Sequence, residues 1–208
     1  MNENMRQMLE NQKTLYINQI KEWVEIFTDI ETKNKYQILN ENQTQIGYIA
    51  ERSGGLLRFF SRNIFGSHRP LSITVWNSNR DIVLNCHRSF FFFFSSLYVE
   101  SSSGEKIGCI KRRFGILSKK YDLLDENDQV FAKIKSPIWK IWTFKIYNFS
   151  DLEIGIISKN WGGILKEVFS DADKFHIQFP DFDFKKKSII LAAAISIDMD
   201  FFEENENR

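Results

Sequence analysis

The chain has 208 residues, of which 43% are hydrophobic, so it is long enough and apolar enough to bury the core of a sizeable domain. Its 28 lysines and arginines nearly cancel its 27 aspartates and glutamates. The net charge of +1 excludes a strong overall attraction to nucleic acid or anionic lipid, so such binding requires a local patch. Twenty phenylalanines and five tryptophans favour β structure, because aromatic side chains suit pleated, half-buried surfaces.

The N-terminus predicts a polar arm over residues 1–34 that carries an amphipathic helix. Five apolar residues recur near one face at helical spacing: Leu15, Ile20, Trp23, Val24 and Phe27. We expect this helix to dock on the rest of the protein. A helix lying on a membrane surface is the alternative, which acidic residues on its polar face disfavour. The arm has no apolar signal-peptide core, so we expect an intracellular protein that is not secreted.

An internal repeat fills the chain from Tyr36 to Ile157. Each copy is a short alternating run, a polar turn and a second alternating run. The copies are YQILNENQTQIGYI, ITVWNSNRDIVLNC, LYVESSSGEKIGCI, YDLLDENDQVFAKI and FKIYNFSDLEIGII. The turns are rich in Asn, Asp, Ser and Gly, which suit tight reversals, so each copy predicts a β-hairpin. Hairpins at this spacing indicate an antiparallel sandwich or barrel.

Two helices are predicted after the hairpins. Residues 163–172 carry one apolar stripe, and residues 188–197 are apolar almost all round. The second segment rises only ~15 Å, whereas a spanning helix needs ~20 apolar residues. Asp198 and Asp200 then interrupt it, and both would be costly in lipid. We therefore expect a helix buried in protein, with a membrane span as the alternative. The predicted core positions are Ile190, Leu191, Ala193, Ala194 and Ile197.

Residues 155–203 contain three motifs in one order: SK-x-W-x-GIL-x-E, F-x-DAD-x-F-x-IQFP, and an apolar run ending in ID-x-x-FFE. These motifs resemble the signature of the phospholipid scramblase family. The resemblance covers residues 35–203 and leaves residues 204–208 as a polar tail. It implies a mainly β, tubby-like fold, in which a closed antiparallel barrel of about twelve strands encloses the hydrophobic C-terminal helix.

The resemblance also implies a function. Members of this family associate with membranes, bind phospholipid and move it between leaflets in a calcium-dependent, ATP-independent way. That activity is not bond chemistry, and His68, His87 and His176 are scattered without a nucleophile motif. The alternative is a soluble tubby-like module that binds phosphoinositide or nucleic acid in a regulatory role. We expect a cytoplasmic protein or one peripheral to the cytoplasmic face of a membrane, such as the plasma membrane.

Attachment to a membrane is expected to differ from that of animal members, which are palmitoylated on a cysteine cluster. Here the matching segment is SFFFFFS, and the two cysteines, Cys86 and Cys109, are expected to be free thiols. Alternation in a strand would place Phe91 and Phe93 on the face opposite the other three rings of the run. We expect this outward pair either to be covered by the N-terminal helix or to contact a membrane or partner. The basic residues expected to assist membrane contact are Lys111, Arg112 and Arg113.

An acidic segment is the candidate calcium site. The resemblance implies ligands at Asp171, Asp173, Phe175 and Ile177 and at a later acid, which the register leaves as Asp181 or Asp183. Asp171 and Asp173 end the predicted helix at 163–172, where the helix dipole disfavours acids. A bound calcium ion would relieve that conflict; solvation of both carboxylates is the alternative.

Overall fold

A computed structural model describes residues 3–20, 34–52, 70–91, 93–140, 142–159 and 174–201. These residues form a closed barrel of twelve strands and two helices. In chain order the elements are α1 (Glu3–Leu9), β1 (Thr14–Gln19), β2 (Lys35–Leu39), β3 (Gln45–Glu51), β4 (Leu71–Asn77), β5 (Ile82–Arg88), β6 (Ser96–Ser101), β7 (Lys106–Arg113), β8 (Ser118–Asp125), β9 (Val130–Pro137), β10 (Thr143–Tyr147), β11 (Glu153–Lys159), β12 (Lys174–Gln178) and α2 (Phe184–Phe201). Each strand pairs antiparallel with its neighbours in the chain, and β1 pairs with β12 to close the barrel. The predicted fold is therefore confirmed.

The five predicted hairpins all form, and their turns share one construction. The first turn residue accepts a hydrogen bond on its side-chain oxygen from the backbone N–H four positions later, at 2.9–3.1 Å. These residues are Asn40, Asn77, Ser101, Asp125 and Asn148. The fourth turn residue has a left-handed backbone in every case: Gln43, Arg80, Gly104, Asp128 and Asp151. The repeat in the sequence is therefore a repeat of turn chemistry, since Asn, Asp and Ser side chains bond their own backbone readily.

The N-terminal segment corrects the predicted arm. Leu15 belongs to β1, where it lies opposite Ile177 of β12, and Ile17 is buried on the same face. Burial at alternate positions is the period of a strand, so the predicted helix through Leu15 is wrong and the barrel begins before residue 35. The described helix in this segment is α1, which precedes β1. Trp23, Val24 and Phe27 lie outside the described residues, as does the predicted helix at 163–172.

Helix α2 fills the barrel, as the sequence predicts. Its predicted core positions are all buried: Ile190, Leu191, Ala193, Ala194 and Ile197. The alanines keep the helix narrow, so wall residues such as Phe144 and Ile134 can pack around it. In the described part of the chain, helices that have both the length and the apolar character for a bilayer span are absent.

The two ends of the barrel differ. The five tight turns lie at one end, which we call the turn end, and α1 closes it with Met5, Met8 and Leu9 buried. At this end β7 approaches β8 and α2 so closely that position 108 requires glycine. A Cβ on Gly108 would meet Leu124 O at 2.2 Å and Ile189 Cδ1 of α2 at 2.5 Å. The opposite end, which we call the loop end, carries the connections between hairpins and the C-terminal part of α2.

Two buried carboxylates of α2 are paired with the barrel wall near the loop end. Asp198 accepts hydrogen bonds from Lys159 Nζ at 2.9 Å and from the hydroxyl of Tyr36 at 2.5 Å. Asp200 accepts one from Arg88 Nη1 at 2.5 Å. The Tyr121 hydroxyl donates another to Asp200 at 3.0 Å. Burial, and then the negative charge of Asp200, hold the pKa of Tyr121 well above its usual value, which keeps the hydroxyl a donor.

We predict that Asp200→Asn lowers the free energy of unfolding by about 3–5 kcal/mol, because it removes the carboxylate that pairs with the buried Arg88 guanidinium. Asp181→Asn is the matched control, since Asp181 is exposed. Urea denaturation followed by circular dichroism measures both variants. Equal stability of the two variants would contradict the pairing of Arg88 with Asp200.

Candidate membrane interface

Three adjoining connections at the loop end expose apolar side chains. They are residues 89–95 between β5 and β6, 114–117 between β7 and β8, and 138–142 between β9 and β10. Among the described residues of these segments, the exposed large hydrophobic side chains are Phe90, Phe93, Phe94, Phe114, Ile116, Leu117, Ile138, Trp139 and Trp142. We call this set the apolar rim. Loops usually carry polar residues, so apolar side chains in three neighbouring loops mark a contact surface.

The phenylalanine run forms the first part of the rim, but not in the predicted way. Its described residues, Phe90, Phe91, Phe93 and Phe94, lie between β5 and β6 and do not belong to a strand, so strict alternation does not apply to them. Phe91 is only 8% exposed and its ring lies 5.1 Å from the Arg88 guanidinium carbon, whereas Phe93 is 84% exposed. The prediction that Phe91 faces outward is therefore wrong, because a cation–π contact with a buried arginine holds it inside.

Backbone hydrogen bonds hold the three connections side by side. Arg112 N donates to Ser95 O at 3.0 Å, which joins the start of β6 to the end of β7. Ile138 N donates to Leu117 O at 3.2 Å, which joins the second connection to the third. The connections that carry the apolar rim are thus neighbours at the loop end.

Charge is distributed unevenly along the barrel axis. The three connections contain no acidic residue and one basic residue, Lys140. The turn end exposes many carboxylates, among them Glu41, Asp81, Glu105, Glu126, Asp128, Asp151, Asp181 and Asp183. An anionic surface is therefore repelled less by the three connections that carry the apolar rim than by the carboxylates of the turn end.

The three basic residues predicted to assist membrane contact face in different directions. Arg112 lies opposite Tyr121 in the sheet, and directly paired residues share a face, so its side chain is on the inner wall. Lys111 and Arg113 alternate with it and lie on the outer wall. Arg113 Nε bonds Asp122 Oδ2 at 2.7 Å on that face. The structure thus places them at the loop end but separates Arg112 from the other two.

Lys119 belongs to a basic pair, Lys119–Lys120, that is visible in the sequence, but its place on the inner wall is not. Its Nζ lies 5.6 Å from the centroid of the buried Phe144 ring. Burial, and then the positive charge of Arg112, lower the pKa of Lys119 to about 8, while Asp200 acts in the opposite direction. Only the face that it occupies distinguishes Lys119 from its neighbour Lys120, and that face follows from the β7–β8 register.

The predicted calcium ligands are dispersed. Asp171 and Asp173 lie outside the described residues, and Phe175 and Ile177 have buried side chains in β12. Asp183 lies at the turn end, where its Oδ1 accepts the backbone N–H of Lys186 at the start of α2, and the exposed Asp181 is close to it in the chain. The described residues contain no cluster of three or more His, Cys, Asp or Glu side chains placed to hold a metal ion.

Both cysteines are free and buried, as predicted for a chain without a disulfide. Burial raises the pKa of the Cys86 thiol to about 12 and that of the Cys109 thiol to about 11. A buried neutral thiol is a poor nucleophile and a poor acylation site.

Comparison with known proteins gives a consistent assignment. The sequence profile of the family described as Scramblase matches residues 1–204. Phospholipid scramblase 1 of Mus musculus is 29% identical over 93% of this chain and 62% of its own length. Phospholipid scramblase 2 of Bos taurus is 30% identical over 91% of this chain and 68% of its own length. A phospholipid scramblase family protein of Schizosaccharomyces pombe is 26% identical over 93% of this chain and 60% of its own length.

The chain thus spans about three fifths of the length of several curated relatives that it matches. A solved structure of a protein from Arabidopsis thaliana superposes with a TM-score of 0.50 and 11% identity, over 98% of this chain and 96% of that one. This likeness supports the tubby-like barrel fold.

We predict that neither thiol reacts with a thiol-specific dye such as DTNB in the native protein, because both are buried and protonated at neutral pH. Unfolding in guanidinium should release both for reaction, which serves as the positive control. Absorbance of the released dye measures the reaction. Rapid labelling of the native protein would contradict the burial of Cys86 and Cys109.

Proposed function

Because the chain belongs to the Scramblase family, we propose that it associates with phospholipid membranes and binds them through the apolar rim. The observation that carries the proposal is the exposure of apolar side chains in three connections that lie next to one another. A soluble protein leaves such a surface in water only at a cost, which contact with the interfacial region of a bilayer removes.

The binding free energy expected from the apolar rim is large enough to support membrane contact without a lipid anchor. Full burial of one large apolar side chain contributes about 1.5–3 kcal/mol, so a few inserted side chains of the rim supply several kcal/mol. Basic residues close to an anionic surface add about 1 kcal/mol each. Lys140 within the rim and Lys111 beside it have the sign of charge that anionic lipid attracts.

We further propose that the protein moves phospholipid between leaflets without ATP; the support for lipid movement is that its relatives are named phospholipid scramblases. The sequence has no glycine-rich phosphate loop for a nucleotide, which fits a process driven by the lipid gradient alone. Reconstitution into vesicles with a fluorescent lipid in both leaflets tests this directly. Dithionite should quench more than the outer-leaflet half in protein-containing vesicles, and quenching of that half alone would refute lipid movement.

We predict that Phe93→Ser/Leu117→Ser weakens flotation with anionic liposomes at least about tenfold, because two side chains of the rim no longer enter the interface. The matched control is Phe149→Ser/Leu152→Ser, which makes the same changes at the turn end. The two phenylalanines are 84% and 70% exposed, and both leucines are 62% exposed. Each double variant should keep its melting temperature.

Equal flotation of the two double variants would show that the rim is not the membrane contact. Absence of flotation by the unsubstituted protein would favour the alternative of a soluble module.

Calcium binding is proposed at Asp171 and Asp173, with weak affinity because few carboxylates are available there. We propose that Asp181 and Asp183 do not share this ion, because Asp183 precedes α2 at the turn end, whereas Lys174 lies at the loop end.

We predict that Asp171→Ala/Asp173→Ala abolishes the calcium-binding heat in isothermal titration, whereas Asp181→Ala/Asp183→Ala retains it. Each variant removes two negative charges, so a general loss of charge cannot explain a difference between them. Equal heats from the unsubstituted protein and the Asp171/Asp173 variant would exclude these acids as ligands.

A further inference from the structure

Four positively charged side chains lie in one line across the outer wall of the barrel. The register pairs Arg113 of β7 with Lys120 of β8, Lys120 with Lys135 of β9, and Lys135 with Lys145 of β10. Buried residues flank them in the chain, for example Tyr121 beside Lys120, so the four side chains point outward. We call this line the basic row.

The basic row breaks a rule that the adjacent line of the same sheet obeys. Like charges placed directly opposite each other destabilise a sheet, whereas opposite charges stabilise it. One step towards the turn end, Lys111, Asp122 and Lys133 lie opposite one another and alternate in sign. The basic row places cations side by side instead. Departures of this kind from local sequence rules are expected at functional positions, so the basic row is a candidate site for an anion.

Carboxylates of the protein compensate the basic row only in part. Three members of the row each bind one carboxylate at 2.6–2.7 Å, and these carboxylates are Asp122, Asp151 and Glu153. In the part of the chain that the structure describes, ion pairs of Lys120, in the middle of the row, are absent. The three pairs are at least partly open to solvent, where an ion pair contributes little. Carboxylates from another molecule can therefore add to these contacts or replace them.

The curvature of the wall limits what can contact all four cations. The barrel closes with twelve strands, so the three steps between four neighbouring strands turn through a quarter of its circumference. A flat bilayer meets such a convex wall along one line, whereas a flexible chain can bend around it. The shape of the site therefore favours a flexible anionic chain.

The spacing of the cations suits an extended peptide. Neighbouring strands are ~4.8 Å apart, and side chains that diverge from a convex wall have their charged ends farther apart than that. Alternate residues of an extended peptide lie ~6.6–6.8 Å apart and point to the same side. A peptide with acids at alternate positions can thus present one carboxylate to each cation.

The strands of the basic row are less suited to single-stranded nucleic acid. Such chains bind where exposed aromatic rings stack with the bases. Within β7 to β10, the outward aromatic side chain next to the row is Tyr147, and the Lys135 ammonium already lies 5.1 Å from the centroid of its ring. Carboxylates are therefore favoured over a phosphodiester chain as the ligand.

We propose that the basic row binds an extended acidic segment of a partner protein, in which acidic residues occupy alternate positions. Ammonium and guanidinium groups donate charge-assisted hydrogen bonds to carboxylates, and the partner's negative charges relieve the repulsion within the row. The row lies on the wall of the barrel and not in the connections that carry the apolar rim. This interaction is therefore independent of the proposed membrane contact.

The test uses a fluorescein-labelled peptide that alternates glutamate with threonine, and a second peptide with the same residues arranged in two blocks. Fluorescence anisotropy at low ionic strength measures the binding of both peptides. We expect the alternating peptide to bind at least about fivefold more tightly, because only its carboxylates lie on one side of an extended chain. Equal binding of the two peptides would overturn the extended mode of recognition.

The adjacent line of the sheet provides a matched control variant. Lys120→Gln/Lys135→Gln removes the middle of the basic row, and Lys111→Gln/Lys133→Gln removes two positive charges from the same outer wall. We expect the first variant to bind the alternating peptide at least about tenfold more weakly, and the second to bind it within about twofold of the unsubstituted protein. Equal losses in both variants would show general attraction to a positive wall and overturn the site.

Folding of the variants is checked independently of binding. Lys120→Gln/Lys135→Gln should keep or raise its melting temperature, because repulsion between directly opposed charges decreases. Nuclear magnetic resonance of the unsubstituted protein gives a measurement that needs no variant. Addition of the alternating peptide should shift the backbone amide signals around Lys120 and Lys135. Shifts confined to strands outside β7 to β10 would overturn the proposal.

Competition experiments distinguish an acidic protein segment from other anions. Single-stranded oligothymidylate and vesicles of phosphatidylcholine with phosphatidic acid are each added to the complex with the labelled peptide. We expect the unlabelled alternating peptide to displace the labelled one at a lower concentration of charge than either competitor. Stronger displacement by oligothymidylate would overturn the proposal in favour of nucleic acid, and stronger displacement by vesicles would overturn it in favour of a membrane surface.

Discussion

The carboxylates of Asp198 and Asp200 lie inside a barrel that is otherwise filled by aliphatic and aromatic side chains. A charge in that setting costs several kcal/mol unless an opposite charge and hydrogen bonds compensate it. Four groups of the wall do so: Lys159, Tyr36, Arg88 and Tyr121. They come from β11, β2, β5 and β8, so the two acids tie distant strands to one turn of the central helix.

These pairs also determine what the loop end presents to its surroundings. Arg88 is the last residue of β5, and its guanidinium binds Asp200 while the ring of Phe91 lies over it. The phenylalanine run is thereby held at one position, and Phe93 projects outward beyond it. The buried ion pair of Arg88 with Asp200 thus helps to fix the position of the exposed Phe93 side chain. The proposed membrane contact depends on the ion pair and on Phe93.

The hairpins and the central helix could be predicted from the sequence because each has a local signal. A turn that begins with Asn, Asp or Ser, or a helix of small apolar residues, is recognisable in one segment alone. The first strand could not be predicted, because Leu15 and Ile17 acquire their role only by pairing with β12, more than one hundred and fifty residues later. Burial at alternate positions over six residues is a weaker signal than apolar residues that recur at helical spacing over a longer stretch.

The candidate site was only partly predictable for a similar reason. The phenylalanine run is conspicuous, but Phe114, Ile116 and Trp139 occur in short segments that resemble ordinary strand ends. Their common exposure follows from three loops meeting at one end. Arg112 and Lys119 differ from Arg113 and Lys120 only in the face that they occupy, and that face depends on the register of β7 with β8.

Closure of the barrel by β1 and β12 has a consequence for biosynthesis. As the chain leaves the ribosome, β1 presents an unpaired edge until residue 178 has been made, and the central helix that fills the interior follows later still. Consecutive hairpins can form early, but they surround no core, and their apolar faces remain in contact with water. Productive folding therefore waits for the last elements, and the nascent chain is exposed to aggregation and to chaperone binding for most of its synthesis.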